Sequence, residues 1–437
     1  MSPSIRIPIL GAAMLAAAAP ASAAAQRLSA QEQRIVQHVD AHADEAVAFL
    51  ERIVNLNSGT LNAQGVREVG RAFQAPLDSL GFDVRWITLP DSMNRAGHLF
   101  AYRQGTRGRK VLLIGHLDTV FERDDAFQRF VRQGRYASGP GVNDMKGGDV
   151  VILYALRALH AAGALEGTSI TVAMTGDEES PGRPLEIARR ELIQAGRDAD
   201  VALEFETGAR DSATEYATVA RRSASTWTLT VGGRTAHSSG VFGEGAGSGA
   251  IFEASRILNA FHEELRGEQY LTFNPGVIVG GTDVRYDAGE SRGTAFGKNN
   301  VVAQTAIVTG DIRTITDEQL QRTRERMRAI VARHLPQTRA EIEFHEGYPS
   351  MPPTDGNHAL LALLNTVNHD LGTPPMEALD PGRRGAADVS FVAPYVDALA
   401  GLGANGSGAH GPSERIDLET LPLQVKRAAL LIYRLTR

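Results

Sequence analysis

Val111-Leu112-Leu113-Ile114-Gly115-His116-Leu117-Asp118 sets four consecutive apolar residues directly before a histidine and an aspartate. A short run without polar alternation suits a strand buried on both faces of a sheet. The arrangement returns twice. Ile170 to Thr175 runs into Gly176-Asp177-Glu178-Glu179, and Val201 to Phe205 runs into Glu206. Around these strands, apolar spacing predicts helices over 30–56, 64–80 and 148–162, and further strands over 82–89 and 98–103. Strand and helix in alternation imply an α/β sheet flanked by helices.

The texture changes near residue 220. Trp227, Leu229 and Val231 alternate as in a half-buried strand. A helix at 247–266 follows, then strands near 276–280 and 303–313, a helix at 317–334 and a strand at 340–345. The order β-α-β-β-α-β is ferredoxin-like. Residues 352–437 return to α/β character and end in a helix at 418–436. The expected organisation is a leader over 1–25, a first α/β part over 26–219, an inserted α+β domain over 220–350 and a second α/β part over 351–437.

Composition narrows the function. At 437 residues the chain should hold two or three domains, and 43% hydrophobic with 22% charged residues is ordinary for a folded soluble protein. The net charge of −6 argues against a general nucleic-acid-binding surface. With no cysteine, disulfides, thiolate metal sites and cysteine nucleophiles are excluded, so any metal must be held by His, Asp and Glu. Arg6, the apolar run Ile7 to Ala19 and the Ala-x-Ala steps near residues 21–25 read as a cleavable secretory signal. The mature chain is therefore expected in the periplasm or outside the cell, without a membrane segment.

The chemistry-bearing residues sit at strand ends, where open α/β sheets bind ligands. The loop Gly139-Pro140-Gly141-Val142-Asn143-Asp144 adds another carboxylate, and His410 is a late candidate. Zinc accepts imidazole nitrogen and carboxylate oxygen. Two zincs can share a bridging carboxylate and polarise one water. His116, Asp144, Glu179, Glu206 and His410 could supply such a site, with Asp118 orienting the His116 ring. Of the adjacent Glu178 and Glu179, one could coordinate while the other faces the cleft as a base.

His116-Leu117-Asp118, Gly141-x-x-Asp144-Met145-Lys146-Gly147, Gly176-Asp177-Glu178-Glu179 and Gly408-Ala409-His410 together resemble the motifs of one family, in the family's order. It is the di-zinc metallopeptidase family of bacterial glutamate carboxypeptidases, acetylornithine deacetylase, succinyl-diaminopimelate desuccinylase and aminoacylase. The resemblance covers nearly all of the mature chain. It implies a zinc-peptidase-like catalytic domain with a mixed central sheet, interrupted by a ferredoxin-like dimerisation domain. It implies two Zn2+ per subunit, with cobalt or manganese left open as the native metal. Asp144 would bridge, His116 and Glu206 would complete one or other centre, and Glu179 and His410 would hold the second metal. Glu178 would be the general base. Glu204 would share a face with Glu206, but Glu206 aligns with the family's Phe-Glu-Pro-Thr-like segment, although Thr207 replaces its proline. His237 matches a histidine that reaches across a homodimer to the scissile carbonyl, and Asn300 and Arg313 match substrate-binding positions.

The implied activity is an exopeptidase of carboxypeptidase type, acting on peptides or N-acyl amino acids. The alternatives are an N-acyl-amino-acid deacylase and a non-catalytic peptide-binding protein. Arg313 has a competing structural reading, an ion pair with Asp311 two residues away. The histidines other than His116, His237 and His410 are expected at the surface. Gly401-x-Gly403-x-x-Gly406 spells a dinucleotide fingerprint without a helix to follow it. Gly289-x-Ser291-x-Gly293 spells a nucleophile elbow without a buried strand before it.

Overall fold

The structure is a computed structural model that describes residues 28–437. The expected signal segment, 1–25, lies outside the described residues. Six strands form the central sheet, in the order Asp83–Ile87, His98–Arg103, Thr168–Thr175, Arg107–His116, Val201–Glu204 and Ala398–Leu399. The last four run parallel to one another, and the first two pair antiparallel at one side. The sheet is therefore mixed.

Its central strand explains the unbroken apolar run. Val111 and Leu113 enter one core, with the helices Ala30–Ala41, Lys146–Ala161 and Leu421–Leu435. Leu112 and Ile114 enter a second core on the opposite face, with Leu192, Val389 and Val392. Both faces are covered, so alternation has no solvent side to report. Register aligns the strand ends: His116 pairs with Thr175, and Ile114 with Glu204.

A second sheet spans residues 224–348, in the order Thr272–Gly281, Thr305–Arg313, Ala224–Gly233 and Thr338–Tyr348. All its pairs are antiparallel. Chain order across the sheet is second, third, first, fourth, which is the ferredoxin-like arrangement. Helices Ala250–Leu265 and Asp317–Val331 cover one face, around Trp227, Leu229, Val231, Phe261, Val308 and Met327.

Several local expectations change. The single helix expected over 30–56 is two, Ala30–Ala41 and Ala43–Val54, because His42 leaves helical geometry at φ −116° and ψ 16°. Helix Arg190–Asp198 and the hairpin Asp283–Asp287 with Arg292–Phe296 were absent from the sequence reading. Gly289-x-Ser291-x-Gly293 is the tip of that hairpin. Asp287 there accepts the Gly289 N–H, so no elbow exists. His98 corrects the surface expectation for the remaining histidines. It is buried, with Nε2 against Ala188 O and Nδ1 receiving the Gly176 N–H. Among the described residues no helix is long and apolar enough to cross a membrane.

Candidate active site

Three parallel strands end side by side, and each delivers one part of a cluster. His116 ends Arg107–His116, Glu178 and Glu179 follow Thr168–Thr175, and Glu206 follows Val201–Glu204. The turn after Val201–Glu204 is placed by close packing. Carbonyl oxygen Phe205 O would lie 1.8 Å from a Cβ on Gly148 and 1.9 Å from one on Gly403. Only residues without a side chain fit there. Gly403 belongs to the false dinucleotide fingerprint, whose glycines serve packing instead.

Potential ligand atoms of His116, Asp144 and Glu179 lie within 4.8 Å of one another, and so do those of His116, Glu178 and Glu206. His410 Nε2 is 3.2 Å from Asp144 Oδ2 and 3.1 Å from Glu179 Oε2. His116 Nε2 is 3.4 Å from Asp144 Oδ1. Asp144 thus stands between the two histidines. Among the described residues, buried His116 Nε2, Asp144 Oδ1 and Glu179 Oε1 have no hydrogen-bond partner. Buried polar atoms normally find partners. Orphans of donor chemistry converging on one point fit a cation held by nitrogen and carboxylate oxygen.

The electrostatics carry the same demand for positive charge. Burial disfavours an imidazolium at His116, yet the neighbouring Asp118 and Asp144 carboxylates hold its pKa well above the ordinary histidine range. His410 is pushed up to about 11 by Asp144 and Glu179. Burial raises Asp144, but His116 and His410 hold it well below the usual carboxylate range. Glu178 is moved well upward, first by burial, with His116 opposing and Glu206, Asp388 and Glu179 adding to the rise.

Asp118 does more than face the His116 ring at 3.5 Å. Its carboxylate accepts the backbone N–H groups of Glu178 at 3.0 Å and Glu179 at 3.1 Å, and the Thr60 hydroxyl at 2.6 Å. It therefore fixes the two glutamates from behind. From the other side the Tyr348 hydroxyl donates to the Glu178 carbonyl, while Arg189 donates to the Tyr348 oxygen and pairs with buried Asp177 and Asp388.

Glu204 and Glu206 separate cleanly. Arg221 Nη2 donates to both carboxylates. Glu204 also accepts the Val389 N–H and lies outside the two ligand groups, whereas Glu206 belongs with His116. Sequence reasoning missed Arg221, Arg189 and Glu414. Glu414, four residues after His410, offered one usable signal: an acidic residue in a glycine-rich metal loop.

The segments that carry His237 and Asn300 run side by side. The Ser238 N–H donates to Asn300 O, and His237 bridges Val301. Both side chains are exposed, and neither belongs to the ligand groups. Arg313 pairs with Asp311 at 2.9 Å, the competing structural reading. It also approaches the loop before Asp388, since a Cβ on Gly385 would lie 3.7 Å from its Nη1.

Fold, strand-end cluster and cation-hungry donors define a metallohydrolase of α/β type. Residues 112–434 match Peptidase family M20/M25/M40, and the chain belongs to that family. It is 26% identical over 442 residues to "Carboxypeptidase G2" of Pseudomonas sp. (strain RS-16), covering 99% of this chain and 98% of that protein. Aminopeptidase PepT from Bacillus cereus has the same fold, with a TM-score of 0.72 at 18% identity over 90% of this chain and 99% of its own. A Bacillus subtilis protein described as a dinuclear metal binding peptidase of the M20 family superposes with a TM-score of 0.61 at 14% identity, covering 91% and 99%. The protein is thus an M20 metallohydrolase acting on peptides or acyl-amino acids.

Proposed function

We propose that the protein is an exported, dizinc exopeptidase of carboxypeptidase type that hydrolyses amide bonds of peptides or N-acyl amino acids. The observation that carries the reading is the set of orphaned donors at His116, Asp144 and Glu179, with Glu178 adjoining. Full-length similarity to a carboxypeptidase favours that reaction type.

In this reading His116, Asp144, Glu179, Glu206 and His410 would hold two cations, with Asp144 the residue that would serve both. When bound, the cations would polarise the attacking water and the scissile carbonyl. Glu178 takes the proton of that water and passes it to the leaving amine. Asp118 holds the Glu178 N–H and Tyr348 holds its carbonyl, so the backbone on both flanks of the base is fixed. Arg313 offers a guanidinium fork for a substrate carboxylate.

The reading includes a homodimer that carries His237 and Asn300 to the partner's site. Phe242, Ile251, Phe252, Ile278 and Phe296 are large, apolar and exposed, and all lie in the second-sheet region. Phe242 and Phe252 have ring centroids 5.4 Å apart. Apolar surface of this kind marks association sites. Phe252→Asp should shift sedimentation from dimer to monomer and depress activity. A mixed dimer of His237→Ala and Glu178→Ala subunits should recover activity that neither parent shows. If mixing restores nothing, the trans role fails.

Hydrolysis of dipeptides, N-acyl glutamates and acetylated amino acids, with and without chelator, tests the whole reading. Chelator-sensitive release of the C-terminal residue is expected. Release confined to acetylated amino acids would replace the peptidase by a deacylase. No turnover by the zinc-loaded protein would overturn the hydrolase reading in favour of binding alone.

A further inference from the structure

Glu414 is fully buried and far from Asp144 in sequence, yet its carboxylate grips the Asp144 loop. Oε1 accepts the N–H of Asn143 at 2.8 Å and of Asp144 at 2.9 Å, and Oε2 accepts the N–H of Gly141 at 3.1 Å. An ionised carboxylate only accepts, so one anion satisfies three donors at once. The backbone around Glu414 is fixed too. Its own N–H donates to Gly411 O, and the next residues, Arg415 and Ile416, pair with Ser138 and Ala137. Those partners lead directly into the Asp144 loop. Glu414 therefore joins two loops that carry one ligand candidate each, Asp144 and His410, and these meet at 3.2 Å.

We propose that Glu414 is a positioning residue that sets the separation of Asp144 and His410 and thereby the cation affinity of the His410 side. It touches no cation itself. The inference rests on the two-cation reading. Asp118 is the internal precedent, since it clamps the Glu178 and Glu179 N–H groups in the same manner.

Glu414→Gln keeps the volume but exchanges one acceptor for a donor facing a backbone N–H. Zinc titration of the chelator-stripped protein against a competing chelator of known affinity is the test. Wild type should bind two equivalents. In Glu414→Gln one equivalent should weaken at least tenfold while the other changes less than about threefold, in keeping with losses seen when outer residues of metal sites are removed. The stripped variant should melt within a few degrees of stripped wild type. In a His410→Ala background, Glu414→Gln should add nothing, because the centre it serves is already gone. Equal weakening of both equivalents, no weakening, or a fully additive effect would overturn the assignment. If Glu414→Gln does not fold, Glu414→Asp, which keeps the charge but shortens the reach, should show the same selective loss, and two unchanged equivalents would refute it. Wild type binding no second equivalent would refute the two-cation reading itself, a result distinct from the others.

Discussion

The two halves of the ligand cluster are built differently. On one side the His116 side chain is 3% exposed and Glu206 is 11% exposed, wedged against the buried Arg221 guanidinium. On the other side His410 is 58% exposed and sits in a loop with Gly408 at φ +75° and His410 itself at φ +64°. The first half is set by parallel strands and a charge network. The second is set by backbone clamps on loops. A left-handed histidine persists only where its surroundings hold it. The buried half should therefore be preformed and the open half easier to load and to strip.

Turnover gives the sharpest break between the halves. Glu178→Gln removes the proton acceptor on the buried side and should cost at least about a hundredfold in kcat. Both zinc equivalents should remain, by mass spectrometry under native conditions. Near-normal kcat would reassign the base, and loss of metal would make Glu178 a ligand.

Arg221→Met tests the buried network without replacing a ligand candidate. It leaves Glu204 and Glu206 facing each other without their shared cation. Breaking a buried pair from one side costs about 3–5 kcal/mol. Denaturant unfolding of the chelator-stripped protein should show that loss, and zinc should recover part of it by replacing the missing positive charge. A variant as stable as wild type would mean that Arg221 adds little to the preformed half.

His410→Ala probes the open half. One of two zinc equivalents should be lost, and the stripped protein should also lose stability, because Asp144 and Glu179 are left without the imidazole that pairs with both. Retention of both equivalents would exclude His410 as a ligand.

The same division governs what could be read from the sequence. Val111 to Ile114 announced a strand buried on both faces, and His116, two residues on, carried chemistry because parallel strand ends open on to a cleft. His116, Glu178, Glu179 and Glu206 were legible for that reason. Trp227, Leu229 and Val231 gave the second sheet through their alternation, since only one face is covered. Arg221 was not legible. An arginine beside another arginine reads as solvated, and only tertiary packing brings it to Glu204 and Glu206. His98 was misjudged on the same ground, for its partners lie on distant segments. Glu414 was passed over because its partners are backbone N–H groups, and its place four residues after His410 in a glycine-rich loop was its one mark in the sequence. The hairpin at 283–296 was hidden because its side chains are largely exposed, leaving little apolar alternation.

Glu204 and Glu206 sharpen the comparison at its finest grain, because they share one guanidinium and differ by two residues. Glu204 engages one oxygen with Arg221 and the other with the Val389 N–H, and it lies outside the ligand groups. Glu204→Gln keeps an acceptor for that contact and leaves the Arg221 pair with Glu206 in place. Its expected cost is about 1–3 kcal/mol for one weakened charged hydrogen bond, with both zinc equivalents retained. Glu206→Gln should instead lose the cation on the His116 side, because its carboxylate belongs to the ligand group. Metal content after gel filtration separates the two variants directly. If Glu204→Gln loses zinc and Glu206→Gln keeps it, the preformed half is built around the other glutamate, with Arg221 holding Glu206 as its counterion.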